Sequence, residues 1–217
     1  MRRRWAGAAA TALALALFPA LPDAGTASAA ERSVVLLVPA ADDDRLEPAR
    51  EAVAFWNARL AELGVATRLA PRVVVASPVS RAIENYARGV AQRAVRLPGG
   101  EAEPDAPAEL LDLRADIVLL LSRQDILSYA WPLPRVDPPR YLVVIRRVRG
   151  PDRNDAMVTR HVVAHELGHA LGLLHNELPD TLMCGPCQPL TATADETGFL
   201  PLTDAERARL VALHADP

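Results

Sequence analysis

The segment from residue 165 to residue 175, HELGHALGLLH, constrains the fold more than any other part of the 217-residue chain. His165 and His169 are four residues apart, so on a helix their side chains lie one turn apart on one face. Two imidazoles arranged in this way can reach one metal ion at about 2.0–2.1 Å. Gly172 lets the backbone leave the helix, because glycine adopts positive φ without strain, and His175 can then return as a third ligand. Three histidine ligands leave a fourth position open on the ion, which is typical of a catalytic zinc site.

Glu166 follows the first histidine and supplies the group that amide hydrolysis needs. On the helix its side chain points to a neighbouring flank, where it can contact an attacking water without binding the metal. A carboxylate in that position can accept a proton from the water and deliver it to the leaving amine. The chain has only five histidines, and three of them fall at these offsets, which favours a metal site over histidines placed in a core by chance. The sequence therefore predicts one catalytic Zn²⁺ and no firm calcium site.

The longer pattern, HExxHxxGxxH followed by a methionine, resembles the signature of the metzincin zinc peptidases. The interval from His175 to Met183 is similar to that of the matrixin branch of this group. The resemblance implies that Met183 forms a hydrophobic floor under the zinc without binding it; the alternative is an ordinary core methionine. It also implies a secreted endopeptidase that hydrolyses peptide or protein substrates.

The order of predicted elements is consistent with the fold that this resemblance implies. Apolar patterns predict strands at residues 33–38, 65–76, 116–121 and 141–148, and helices at 46–63, 80–95, 157–171 and 203–214. Residues 98–107 are predicted as a surface loop and 131–140 as an irregular or edge segment. We therefore expect the α+β class: a metzincin-like, twisted, mixed but mostly parallel sheet packed on the zinc-binding helix, with a final helix. One catalytic domain at 31–217 is expected, with an N-terminal subdomain at 31–172 and a small C-terminal subdomain at 173–217.

The chain departs from the family pattern around the methionine. Gly185 stands two residues after Met183, where some metzincins have a tyrosine that assists the zinc. No cysteine precedes the motif, so the inhibitory propeptide cysteine of many matrixins has no counterpart in this sequence. Cys184 and Cys187 are expected to form a small disulfide beside the substrate pocket. A thiol–disulfide redox pair or a second metal site at these cysteines are the alternatives.

Two other classes of function compete with the peptidase. A non-catalytic zinc-containing module could use the same cleft to hold a peptide or protein, but binding alone does not require a base at Glu166. An exported thiol–disulfide protein could use the CGPC segment, but Gln188 and Pro189 follow it and form a helix poorly. A nucleic-acid partner is disfavoured, because the chain has a net charge of −3.

The first thirty residues resemble a signal peptide. Arg2, Arg3 and Arg4 precede a short apolar run, and small residues follow it up to residue 30. Export is therefore expected, to the extracellular space or a periplasm, with no membrane span in the mature chain; a retained membrane anchor is the alternative.

Three further groups of side chains have less specific predictions. The acidic run at residues 42–44 is expected at the positive end of the next helix. His161 is expected to support the metal ligands from behind or to pack against the sheet. His214 is expected to be a surface or packing residue.

Overall fold

The computed structural model describes residues 30–75, 80–94, 104–147, 156–185 and 198–215. Within these residues, five strands form one sheet in the order β2-β1-β3-β5-β4. The strands are β1 at Glu31–Val38, β2 at Arg68–Val75, β3 at Ile117–Leu121, β4 at Tyr129–Pro132 and β5 at Tyr141–Ile145. Four of them are parallel, and only the edge strand β4 runs antiparallel, alongside β5. The predicted signal segment, most of the predicted loop at 98–107 and Cys187 lie outside the described residues.

Helices cover both faces of this sheet. They are α1 at Leu46–Glu62, α2 at Ser80–Ala94, the short α3 at Ala108–Leu111, α4 at Ala156–Ala170 and α5 at Asp204–His214. The predicted α+β class with a mostly parallel sheet is thereby confirmed. The edge-segment prediction is also met in part, because β4 occupies the edge. The predicted strand at 65–76 begins only at Arg68. No helix among the described ranges is both long enough and apolar enough to cross a bilayer.

Strand β1 shows why the strand sequences are nearly continuous apolar runs. Val34, Leu36 and Val38 face a core that also contains α1 and α4. Val35 and Leu37 face a second core, formed with α2 and α3. Because parallel strands are covered on both faces, alternate residues cannot be polar as they are in a half-exposed sheet.

Helix α4, which carries the histidine motif, is docked on α1 by a buried tryptophan. Trp56 is completely buried, and its indole N–H donates to the carbonyl oxygen of Ala164 at 2.8 Å. A buried indole N–H without an acceptor is costly, so this hydrogen bond favours one relative position of the two helices. The acceptor directly precedes His165, so the first predicted ligand is held at a defined height above the sheet.

The acidic run lies beside the start of α1, but its main partner is a side chain rather than the helix. The carboxylate of Asp43 binds the guanidinium of Arg45 through both oxygens, at 2.9 and 2.8 Å, and both side chains are almost fully buried. Arg45 also donates to the carbonyl oxygens of Leu121 and Ser122 at the end of β3, and to those of Ile145 and Arg146 at the end of β5. The arginine of this ion pair therefore binds carbonyl groups at the carboxyl ends of two central strands.

Candidate metal centre

The turn after α4 brings the third histidine back towards the helix. The N–H of Leu173 donates to the carbonyl of Gly168, and the N–H of Gly172 donates to the carbonyl of His169, both at 2.9 Å. This pair of bonds defines a Schellman turn, which requires a left-handed residue after the helix. Gly172 supplies it with a φ of 94°. The glycine in the motif thus has the role that its position predicts.

The three predicted ligands converge on one point. The Nε2 atom of His175 lies 3.1 Å from that of His165 and 3.0 Å from that of His169. Tetrahedral zinc with bonds of about 2.0–2.1 Å places its ligand nitrogens about 3.3 Å apart. The same three histidines form the group of potential metal ligands found among the described residues. The spacing of the nitrogens therefore fits a small tetrahedral ion.

Backbone carbonyls set the tautomers of two of these rings. Nδ1 of His165 donates to the carbonyl of Leu182 at 2.7 Å, and Nδ1 of His169 donates to that of Leu173 at 2.9 Å. A neutral ring that donates from Nδ1 keeps a lone pair on Nε2. These lone pairs point at a third ring nitrogen, that of His175. A divalent cation satisfies three such nitrogens at once, whereas a proton can bridge only one pair.

Burial keeps two of the three histidines in the neutral form that metal binding requires. Burial and the charges of the neighbouring histidines together lower the pKa of His165 to about 4, against the opposing effect of the bond to Leu182. Burial also lowers the pKa of His169 below its usual value. A metal therefore competes with protons for these two rings only in acidic solution.

Glu166 lies on the same helix and is 8 % exposed. Burial raises the pKa of its carboxyl group to about 8, opposed by a hydrogen bond from the backbone of Ala130 in β4. A carboxylate in an apolar setting is a stronger base than one in water, and a nearby cation would favour its ionised form. Glu166 thus contacts the edge strand from the helix that carries His165 and His169, as a potential proton acceptor.

Met183 is fully buried beneath the helix that carries the first two ligands. A Cβ atom on Gly168 would lie 2.6 Å from the sulfur of Met183 and 3.1 Å from the ring of Trp56, so helix and methionine approach as closely as a glycine permits. The carbonyl of Met183 accepts the N–H of Asn176, and the carbonyl of Asn176 accepts the N–H of Gly185. Met183 therefore packs against α4 at Gly168, next to His169, and its backbone bonds to the residue after His175; its role as a floor under the zinc stays a prediction.

Gly185 lies against the third ligand. A Cβ atom there would be 2.7 Å from Cγ of His175 and 2.9 Å from its Nδ1. The absence of a tyrosine at this position thus has a physical reason, since any side chain would displace the ring. Cys184 forms a β-bridge with Asn176. Its predicted partner, Cys187, lies outside the described residues, so the disulfide stays a prediction.

A buried carboxylate that sequence reasoning missed supports the third ligand. Glu206 of α5 is 6 % exposed and accepts a hydrogen bond from the side-chain amide of Asn176 at 2.6 Å. Its other oxygen accepts the N–H of Thr203 at 2.8 Å, while the hydroxyl of Thr203 accepts the N–H of Glu206, which completes a capping box. The Thr-x-x-Glu spacing before the last helix could have revealed the cap. Nothing in the spacing indicates Asn176.

The other two histidines in the described residues lie outside the triad. His161 is buried on α4, and its Nε2 atom accepts the N–H of Leu200 at 3.2 Å. Nε2 of His214 lies 3.0 Å from the carbonyl of Leu171, so it ties α5 to the end of α4. Each of these two histidines therefore makes a hydrogen bond that the sequence did not predict.

A comparison with protein families agrees with this geometry. The family model for matrixin matches residues 84–206, which is more than half of the chain. Among solved structures, the chain is similar to archaemetzincin from Methanopyrus kandleri, at 15 % identity and a TM-score of 0.41, over 84 % of this chain and 95 % of that one. No curated protein sequence matches significantly.

Proposed function

The chain belongs to the matrixin family of zinc metallopeptidases, and we propose that it is an exported endopeptidase that uses one zinc ion. The proposed ligands are His165, His169 and His175, with Glu166 as the general base and acid. The observation that carries the proposal is the convergence of three histidine Nε2 atoms beside a buried carboxylate. A purely structural site would fill all four positions of the ion with protein ligands.

A zinc ion held there would supply Lewis acidity that activates a water and polarises a peptide carbonyl. Glu166 would accept the proton of the attacking water and pass it to the leaving amine, so one carboxyl group would serve both steps. Its burial supports this role, because it strengthens the carboxylate as a base. His165 and His169 would stay neutral, because backbone carbonyls hold their Nδ1 protons.

The substrate is proposed to bind as an extended peptide along β4. This strand is the edge of the sheet, and among the described residues its outer side has no partner strand. Ala130 lies in its middle, and its backbone donates to Glu166, so the outer edge passes beside the proposed base. An exposed edge offers unpaired backbone groups to an extended chain, which gives affinity with little dependence on side chains.

Export and a disulfide complete the proposal. The charged start at residues 2–4 and the apolar run that follows support export. In an oxidising compartment, Cys184 and Cys187 would pair and brace the loop next to Gly185 and His175. A mass spectrum of the secreted protein tests both points, since cleavage near residue 30 and the loss of two hydrogens each change the mass.

The experiment that tests the catalytic proposal pairs zinc content with hydrolysis of casein. Glu166→Gln should keep one zinc per chain and lose turnover by about 10²–10⁴-fold, the usual contribution of a general base. Glu177→Gln is the matched control, because it removes an exposed carboxylate two residues beyond His175. Full turnover in the Glu166 variant would refute the mechanism. A wild-type protein that holds zinc and captures peptides without cutting them would instead support the non-catalytic binding module.

A further inference from the structure

We propose that His161 is a positioning residue for the zinc ligand His165, and that it acts through the segment 198–202. The inference rests on the proposed zinc site but concerns a histidine outside the ligand set. His161 and His165 are one turn apart on α4. The connection between them passes through the C-terminal segment, by three hydrogen bonds.

The first part of the connection fixes the segment to α4. Nδ1 of His161 donates to the carbonyl of Met157 at 2.7 Å, which leaves Nε2 as an acceptor. That Nε2 accepts the N–H of Leu200 at 3.2 Å, and both groups are buried. An apolar side chain at position 161 would leave this buried N–H without its acceptor. His161 thus specifies where residue 200 lies against the helix.

Neighbouring contacts hold the same segment from a second side. Phe199 stacks on Phe55 of α1 with ring centroids 4.3 Å apart, and its ring centroid is 5.3 Å from that of His161. The guanidinium of Arg160 donates to the carbonyl of Gly198 at 2.6 Å and lies over the ring of Phe199. Arg160 and His161, adjacent on α4, therefore anchor residues 198 and 200 of one short stretch.

The second part of the connection reaches the metal ligand. The carbonyl of Pro201 accepts the N–H of Leu182 at 2.9 Å. The proline ring fixes φ at position 201, so one backbone torsion fewer is free between Leu200 and this carbonyl. The carbonyl of Leu182 in turn accepts Nδ1–H of His165 at 2.7 Å.

These three hydrogen bonds, from His161 to Leu200, from Leu182 to Pro201 and from His165 to Leu182, form a relay. The relay would fix the ring orientation of His165, which the helix alone cannot fix. A helix sets the position of Cα and Cβ of His165 but leaves its ring torsions free. The carbonyl of Leu182 selects one ring orientation and one tautomer, and both determine where the Nε2 lone pair points. Groups that orient a ligand in this manner typically change metal affinity by about 10–100-fold when they are removed.

The test compares two substitutions of His161 in the full chain. In His161→Gln, the side-chain oxygen can take the place of Nε2 and accept the N–H of Leu200, whereas His161→Leu offers no acceptor. We expect His161→Leu to weaken zinc binding by about 10–100-fold in chelator competition and to shift the visible spectrum of the Co²⁺-loaded protein. His161→Gln should stay close to wild type in both measurements.

A matched control separates positioning from general loss of stability. Val90→Ala removes two methyl groups from the core on the opposite face of the sheet, remote from the relay, and should leave zinc affinity unchanged. Should His161→Leu fail to fold, Arg160→Met tests the same segment by removing the anchor on Gly198, and it too should weaken zinc binding.

Three results would overturn the inference. The first is unchanged zinc affinity in His161→Leu, or in Arg160→Met if that variant is used. The second and third are a loss of zinc affinity in His161→Gln, or in Val90→Ala, as large as that in His161→Leu. A wild-type protein that binds no zinc would instead overturn the proposed function. The two failures are therefore distinguishable.

Discussion

Exchanging the two polar groups of the Asn176–Glu206 pair would show whether the last helix controls the metal site. Glu206 uses one carboxylate oxygen for the amide of Asn176 and the other for the N–H of Thr203. In Glu206→Gln, one of these donors must face an NH2 group, whichever way the new amide is turned. In Asn176→Asp, two carboxylates meet at the site of a 2.6 Å hydrogen bond. The double variant restores a donor opposite an acceptor, because the introduced glutamine can donate to the introduced aspartate and still accept from Thr203.

The expected magnitudes follow from burial and charge. Hydrogen bonds to a charged group contribute about 1.5–3 kcal/mol, so each single variant should lose about that much stability. The double variant should be more stable than either single variant, so the coupling free energy between the two positions should be at least as large as one single loss, about 1.5–3 kcal/mol. Zinc affinity should follow the same order, because Asn176 is adjacent to His175 and its backbone binds Met183 and Gly185.

Urea unfolding of the zinc-loaded protein measures the coupling, and chelator competition measures the zinc affinity. Thr203→Ala is the control, since it removes the other half of the capping box at a cost of about 1 kcal/mol without touching Asn176. The reasoning would be refuted if the losses of the single variants simply added in the double variant. It would also be refuted if Thr203→Ala weakened zinc binding as much as Glu206→Gln.

Two further predictions concern stability. Arg45→Met should cost about 3–5 kcal/mol in urea unfolding, because the buried carboxylate of Asp43 loses its cation, and adding Asp43→Asn should recover part of the loss. Arg45 helps to hold the pKa of Asp43 below its usual value, so that pKa should rise in Arg45→Met. The loss of stability in this variant should therefore shrink as the pH falls and the carboxyl group becomes protonated. A loss of stability independent of pH would contradict this account. Gly172→Ala should cost about 1–2 kcal/mol because φ is positive, and adding Leu213→Ala should recover little, since the new Cβ meets only the end of that flexible side chain. Complete rescue by Leu213→Ala in thermal unfolding would assign the cost to the contact instead of the backbone.

The candidate metal site could be predicted because most of the residues that form it are close together in the sequence. The offsets of His165, Glu166, His169 and Gly172 map directly onto one helix and the turn that ends it. The alternation of strands and helices predicted helices packed on a sheet, and the family resemblance implied that this sheet is mostly parallel. The alternation of elements can be read from the periodicity of the chain and the chemistry of its side chains.

The supporting contacts could not be predicted, because each joins residues far apart in the sequence. Arg45 meets carbonyl groups that follow β3 and β5, and any arginine beside any strand end has the same local signature. Glu206 could have been predicted as a helix cap, but its second partner lies 30 positions away in the loop after His175. The partner of His161 is a backbone N–H, which every residue except proline has.

The sequence by itself determined which histidines and which glutamate lie together on one helix and its turn, and it determined the class of fold, since these follow from spacing along one helix and from the alternation of elements. Only the tertiary structure decided how the histidines are held. The carbonyl of Leu182 orients His165, Glu206 holds the residue after His175, and Gly185 leaves room for its ring. Helical periodicity specifies which side chains share a face, whereas the direction of a ring nitrogen depends on an acceptor that another part of the chain supplies.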